Sequence, residues 1–445
     1  MQRALFPFLL RPASGGPVLK EDFPYKERSG LLQGGSLSKV DLTVLGAGLG
    51  GLAAAAILAR QRKKVIVFAP GKEVGGAFIP ARIDGYQFPL GPTLSFGNER
   101  AGVLQKLYAE LGISHDDLVR STSYQVALPD RRLTVHPEKS DTLEELRREY
   151  PNEIDGITKF FQAVDKIAAR SSKSRLSSFL SRRRSSKALL NRYRFSRELL
   201  SFFDIQSRYF FGQSVHDLPL SMLVSMINTS PLYEPHGFKK MAELLLEVIL
   251  KHDGAVRFSE PFPEMVPQRG NRVGLVTTSG PVESRAVLLN TRGGFRDSFN
   301  FIGIMDQGVP VGMRHGIICL PDYSRPGDLF SLTLSRQGDE SAAPRGKRAL
   351  TAWFPFRAPD RDQSGTLLDP IREIIPFLDD FGGTMDVQRP DDTQYATPSA
   401  MQGREQASLV RLERGADKNL YFISDEPGHP VQAVAAAVRM AEILQ

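Results

Sequence analysis

Six residues, Gly46-Ala47-Gly48-Leu49-Gly50-Gly51, constrain this chain more than any others, because they fit the spacing G-x-G-x-x-G. The residues before them, Val40-Asp41-Leu42-Thr43-Val44-Leu45, are apolar and partly β-branched, as a strand buried in a sheet requires. Residues 52–61 are rich in Ala and Leu and read as a helix. Lys64-Val65-Ile66-Val67-Phe68 is a second strand of the same apolar character. Strand, glycine turn, helix and strand compose a βαβ unit, which demands parallel pairing and a right-handed crossover. In such a unit the first glycine permits the tight turn, the second lets backbone approach a pyrophosphate, and the third lets helix and strand pack closely. The helix also turns unpaired N–H groups and the positive end of its dipole towards a phosphate. Taken alone the six residues are a glycine-rich turn. Set between a strand and a helix they are a dinucleotide site, with Gly46, Gly48, Leu49, Gly50 and Gly51 as its contact residues.

Beyond that unit helix and strand patterns alternate, with no internal repeat and no sustained heptad. Residues 142–212 are mostly helical in pattern, and residues 237–252 form an amphipathic helix with Met241, Leu244, Leu245, Val248 and Ile249 at helical spacing. A strand at 255–258, a hairpin near 272–289, several strands over 311–357, a short buried strand at 419–423 and a helix at 431–444 follow. A chain of 445 residues is too long for one ordinary domain, so two are expected.

After the second strand come Gly75-Gly76, then Asp84-Gly85-Tyr86-Gln87-Phe88, then Gly91-Pro92-Thr93. The run from 44 to 93 resembles the FAD-binding signature shared by amine oxidases, protoporphyrinogen oxidases and carotenoid desaturases. Further matches extend that resemblance over most of residues 41–445: His236-Gly237-Phe238-Lys239-Lys240-Met241, Asp253-Gly254 with the strand after it and Pro261-Phe262, and Val287-Leu288-Leu289-Asn290. Asp339-Glu340-Ser341-Ala342-Ala343-Pro344-Arg345-Gly346-Lys347 is similar to a stretch of the phytoene desaturase and carotenoid isomerase branch. Residues 419–423 and the helix after them resemble the segment that closes over the isoalloxazine ring.

The resemblance implies an α/β fold: a discontinuous Rossmann-type FAD-binding domain over 40–120, 238–292 and 400–445, with an interleaved mixed-sheet plus helical substrate domain over 121–237 and 293–399. It implies non-covalent FAD, held by the glycine turn together with Gly75, Gly76, Gly91, Pro92 and Thr93, with Phe262 at the adenine and Asp425 at a ribityl hydroxyl. It implies flavin hydride transfer on a long apolar isoprenoid or polyene, chemistry that belongs to the cofactor and names no catalytic acid or base. His236 and His429 are the histidines it sets near a flavin.

Departures from the family pattern weaken that cofactor site. The acidic residue expected at the end of the second strand, which would bind the adenosine ribose, is Ala69, and a lost charge-assisted bond costs about 1.5–3 kcal/mol. Glu73 stands four residues later, beyond a Pro-Gly turn, and is not a substitute by position. The arginine after the glycine pair is Ala77, the C-terminal Gly-Asp pair is Ser424-Asp425, and Pro427-Gly428-His429-Pro430 replaces the usual P-G-x-G. The alternative is therefore a degenerate flavoprotein-fold subunit without catalytic flavin, acting as a structural or partner protein.

Other classes find little support. His115, His136, His216, His236, His252, His315 and His429 lack metal-ligand spacing, and no nucleophile elbow or P-loop is present. Cys319, the single cysteine, has no internal disulfide partner, which fits a reducing cytoplasmic compartment. No apolar run reaches the roughly 18 residues of a spanning helix. Residues 4–10 after Arg3 look like a signal peptide, but Pro7 interrupts them and no A-x-A site follows, so residues 1–39 are expected to be a flexible arm. Net charge is +7, yet ten Lys or Arg and no acidic residue fall between 170 and 197. Within it, Leu189, Leu190, Tyr193, Phe195, Leu199 and Leu200 give residues 187–203 a basic amphipathic pattern. That pattern suits an anionic membrane surface on the inner face, through residues 170–200, or a solvated charged helix; no nucleic-acid motif accompanies it.

Overall fold

The computed structural model describes residues 38–96, 102–114, 120–173, 184–233, 237–266, 272–292, 298–354, 367–385, 419–425 and 430–444. Apart from Ser38 and Lys39, which open the first strand, the predicted arm lies outside them. Val40 and Leu42 to Leu45 are buried and Asp41 is half-buried, so the first strand has almost no solvent face and must sit between parallel neighbours. It does. Leu42 to Leu45 pair in parallel with Val65 to Phe68 on one side and with Ala286 to Leu289 on the other.

The sheet built on this strand has seven members. Ala255–Phe258 adds in parallel beyond Val65–Ala69, and Leu420–Asp425 adds in parallel beyond the end of the long strand Gly280–Arg292. The start of that long strand turns back on Val273–Thr277 as an antiparallel hairpin, and Glu264–Val266 completes the sheet. One face is covered by the helix Leu49–Arg60, itself enclosed by Lys239–Lys251 and Pro430–Leu444. Every residue from Leu49 to Ala59 is buried, and the alanines at 53–56 allow so close an enclosure. In Lys239–Lys251 the predicted apolar stripe faces inward: Met241, Leu245, Val248 and Ile249 are buried and Leu244 packs against the same core, while Lys240 and Lys251 are exposed.

A second seven-stranded sheet runs in the order Gly382–Met385, Ser298–Met305, Lys347–Phe354, Phe330–Leu334, Gly316–Cys319, Tyr124–Ala127, Arg132–Val135. Its pairs are antiparallel except Gly316–Cys319 with Tyr124–Ala127. The alternation of side chains gives it two faces. Ile302, Ile304, Leu332, Leu334, Leu350, Ala352 and Phe354 form an apolar face covered by Ile371, Ile375 and Leu378. The opposite face carries Ser331, Thr333, Thr351 and Trp353, and helices pack against part of it.

The helical stretch is divided into Lys139–Glu149, Ile154–Lys173, Lys187–Tyr193 and Arg197–Phe211. One expectation changes here. Residues 187–203 are not one continuous amphipathic helix, because Arg194 is left-handed at φ 50° and Ser196 restarts the chain as an N-cap, accepting from Leu199 N–H at 3.2 Å. Glu153 fixes that restart, accepting from Ser196 N at 2.8 Å and Oγ at 2.6 Å. Leu190, Phe195 and Leu199 are buried, with the Phe195 and Phe203 rings 5.4 and 5.5 Å from Phe160. These side chains belong to the core and are not available to a lipid interface. Among the described residues no helix is long and apolar enough to cross a membrane.

Close approach, not conformation, requires Gly254 between helix and edge strand. A Cβ there would lie 2.5 Å from Ile249 Cγ2, 2.8 Å from Val65 Cγ2 and 2.9 Å from the Ile249 carbonyl. Gly254→Ala should lower stability by about 1–3 kcal/mol, read from the denaturant midpoint. The control Gly383→Ala, whose Cβ meets nothing within 4 Å, should shift it by under about 0.5 kcal/mol.

Candidate functional site

The carboxyl ends of the parallel strands meet at one edge of the first sheet, where Leu45 runs into Gly46. The strand before the turn has Val65–Ala69 on one side and Gly280–Arg292 on the other, a topological switch point of the kind where open α/β sheets bind ligands. Gly46 has φ +109°, donates its N–H to the Phe68 carbonyl at 2.9 Å, and would put a Cβ 2.6 Å from the Asn290 carbonyl oxygen. Only glycine fits there. Gly51 is equally constrained, since its Cβ would lie 2.8 Å from Val44 Cγ1 and 2.9 Å from the Gly46 carbonyl. Gly48 differs. At φ −80°, ψ 173° its backbone suits any residue, so its glycine leaves space rather than permitting a turn.

The helix that starts at Leu49 has no side-chain cap, and no acidic residue lies in its first turn. Its Gly51 N–H is not free for a ligand, because Asn290 Oδ1 accepts it at 2.6 Å. Asn290 is a site residue whose role sequence reasoning missed. The signal was a polar residue ending the apolar run 287–289 of a central strand.

The second glycine pair is joined to the first turn. Gly75 (φ +119°) donates its N–H to the Ala47 carbonyl at 2.8 Å, and Gly76 follows at φ +55°. Lys239, only 8% exposed, holds this segment to the next helix: its Nζ donates to the Val74 carbonyl at 2.6 Å and pairs with Glu73 at 3.0 Å. Glu73 also accepts from both amino groups of Arg82, at 2.8 and 3.1 Å. The Arg82 bond, and then Lys239, hold the Glu73 carboxyl below the usual carboxylate range. Glu73 is thus fully engaged, and Ala69, with no exposed surface, offers nothing in its place.

Gly91, Pro92 and Thr93 are buried, with Gly91 at φ +78°. Thr93 Oγ1 lies 3.1 Å from Thr333 Oγ1, so this segment touches the polar face of the second sheet. Around that contact Ser95 Oγ, Thr351 Oγ1 and Trp353 Nε1 are buried without hydrogen-bond partners, and orphaned polar atoms of this kind call for a ligand or water. Phe262 stands apart, 49% exposed in the loop beyond the edge strand. Asp425 ends its strand opposite Arg292, at the same sheet edge as Gly46. The side chains of Ala77 and Asp425, the loop 426–429, His236 and His429 lie outside the described residues. Among the described residues, no group of three His, Cys, Asp or Glu could hold a metal ion. The turn thus leaves space at Gly48, and no carboxylate stands at Ala69.

Comparison with known proteins agrees with this geometry. A family model described as an NAD(P)-binding Rossmann-like domain matches residues 44–111. A 4,4'-diapophytoene desaturase (4,4'-diapolycopene-forming) of Methylomonas sp is 25% identical over 380 residues, 71% of this chain and 73% of that one. The chloroplastic prolycopene isomerase of Arabidopsis thaliana is 31% identical over 142 residues, 31% of this chain and only 24% of the isomerase. A putrescine oxidase variant with redesigned cofactor binding shares the fold, with a TM-score of 0.56 and 15% identity over 92% of this chain and 99% of that one. The chain thus carries a Rossmann-type domain and is similar in sequence to a carotenoid desaturase and a carotenoid isomerase.

The Glu73 ties carry a pH dependence. A carboxyl whose folded pKa is depressed stabilises above its unfolded value, roughly 4.3, and that contribution is lost as pH falls through the folded value. Between about pH 5 and pH 3 the parent should lose more stability than Glu73→Gln, measured by denaturant titration. The difference should stay under about 1 kcal/mol, because the carboxylate is 39% exposed and screened.

Proposed function

We propose that this protein is an FAD-dependent oxidoreductase acting on a long apolar isoprenoid or polyene. The observation that carries the reading is the joining of two glycine turns at a sheet switch point, Gly75 N–H to the Ala47 carbonyl at 2.8 Å. On this reading the turn Gly46, Gly48, Leu49, Gly50 and Gly51 cradles the pyrophosphate, with Gly46 and Gly51 shaping the turn because Phe68 and Asn290 accept their N–H groups, and Gly75 and Gly76 flank it. Gly91, Pro92 and Thr93 border the ring, Phe262 meets the adenine, and Asp425 meets the ribityl chain. The FAD-binding body comprises 40–120, 238–292 and 400–445, and the substrate body 121–237 and 293–399. Bound flavin would supply the hydride acceptor. The chain would supply a fixed orientation, through Asn290 and the Lys239 clamp, and a site closed to water. The kinship with a diapophytoene desaturase and a prolycopene isomerase supports the apolar substrate.

The cofactor is held non-covalently and more weakly than the family pattern provides, since Ala69 lacks the ribose carboxylate. Purified protein should show a flavin absorbance spectrum, and Gly48→Val should abolish it by filling the phosphate path. Ala69→Glu should tighten FAD binding about tenfold, or ~1.4 kcal/mol, measured by fluorescence titration. A colourless protein that takes up no FAD would instead favour the scaffold reading, which the engaged Glu73 and the Asn290–Gly51 bond also favour.

The exposed cations Arg184, Lys187, Arg192, Arg194 and Arg197 support peripheral association with an anionic, cytoplasmic leaflet, at about 1 kcal/mol per cation close to the surface. Because Leu190, Phe195 and Leu199 are buried and Leu189, Tyr193 and Leu200 half-buried, this attraction is mainly electrostatic. Sedimentation with anionic vesicles should fall steeply with salt, and Arg184→Ser, Lys187→Ser and Arg192→Ser combined should reduce it. Equal sedimentation of parent and variant would remove this segment as the anchor.

A further inference from the structure

The strand Val65–Ala69 ends where a dinucleotide site sets an acidic residue on the adenosine ribose 2′-hydroxyl, and there the chain enters the loop Pro70-Gly71-Lys72-Glu73. Two ties fix this loop. The Gly71 carbonyl accepts from Ser259 N–H at 3.1 Å, just beyond the edge strand Ala255–Phe258, and Glu73 is held by Arg82 and Lys239. Lys72 stands between these ties and is exposed, as are Pro70 and Gly71. Among the described residues Lys72 has no ion-pair partner.

A carboxylate at the strand end has two effects: it accepts from the ribose hydroxyls, and it repels a phosphate carried on the 2′-oxygen. Ala69 removes both. The carboxylates of the neighbouring segments do not restore them, because each already faces a cation. Glu73 accepts from both amino groups of Arg82 and lies 3.0 Å from Lys239 Nζ. Glu243 lies 3.8 Å from the same ammonium. Glu260 accepts from Thr278 N–H at 3.2 Å and lies 3.6 Å from Arg257. Lys72 is therefore the unpaired charge of the loop.

An exposed ammonium on a loop tied down at both sides suits a phosphate, which lysine binds as a point charge. We infer that this corner admits an adenine dinucleotide phosphorylated at the ribose 2′-oxygen, the NADP type, with Lys72 as the partner of that phosphate. The inference rests on the dinucleotide reading of the Gly46–Gly51 turn. It adds to FAD, whose ribose is unphosphorylated, a second ligand that competes for the same turn.

The probes are ADP-ribose and its 2′-phosphate, which share the pyrophosphate and the base and differ at the 2′-oxygen alone. Each displaces FAD from the full-length protein, followed by the rise in flavin fluorescence; where the protein carries no FAD, calorimetric titration gives the same comparison. The 2′-phosphate should bind about fivefold more tightly than ADP-ribose, and less so at high salt. Lys72→Gln should abolish that preference and leave ADP-ribose binding unchanged. Ala69→Glu should reverse it, to about tenfold in favour of ADP-ribose. Should that buried position reject the larger side chain, Lys72→Gln decides. Equal or weaker binding of the 2′-phosphate, or a preference that survives Lys72→Gln, would overturn the inference and leave the FAD reading intact. FAD binding with neither probe competing would do the same. If neither FAD nor either probe binds, both readings fall.

Discussion

A main-chain contact underlies the rest of this structure: the Gly46 turn rests on the Asn290 carbonyl so closely that a Cβ would lie 2.6 Å from it. That approach brings the start of the helix Leu49–Arg60 directly against the central strands, and Gly51 against Val44. The helix then has to be narrow, because Lys239–Lys251 and Pro430–Leu444 enclose it while the sheet lies beneath. Alanine answers that need, having a high helix propensity and little volume. Replacing any of these small residues would push apart elements that come from distant parts of the chain.

Charged groups inside such a framework are costly unless they bind something. Glu73, Arg82 and Lys239 satisfy one another and the Val74 carbonyl, so their role is to hold the second glycine pair in place. Thr93 links the nucleotide-binding edge of the first sheet to the polar face of the second through Thr333.

The second sheet divides its chemistry between its faces. One face is uniformly apolar and serves stability; the other mixes hydroxyls and an indole with aromatic rings and turns towards the Thr93 segment. That face therefore keeps a few directional contacts among tightly packed aromatic rings.

Local pattern determined the elements whose signals lie within a few residues: the βαβ unit, the inward stripe of 237–252, the strand at 255–258, the hairpin near 272–289 and the final strand and helix all stand where their patterns put them. The glycine spacing also made the site legible, because turn geometry is a local property. Asn290 reaches Gly51 across 239 residues, and Lys239 reaches Val74 across 165, and no local pattern encodes such pairs. The apolar side chains of 187–203 show the same limit: periodicity says that a stripe will be buried, not whether protein or lipid buries it. The ring packing of Phe160 against Phe195 and Phe203 decided that question. The sequence by itself thus determined the class of fold and the place of the nucleotide turn. Which polar groups are satisfied and which are left over was decided only by the tertiary structure, since a hydrogen bond needs two partners within about 3 Å and the chain brings them together only when folded.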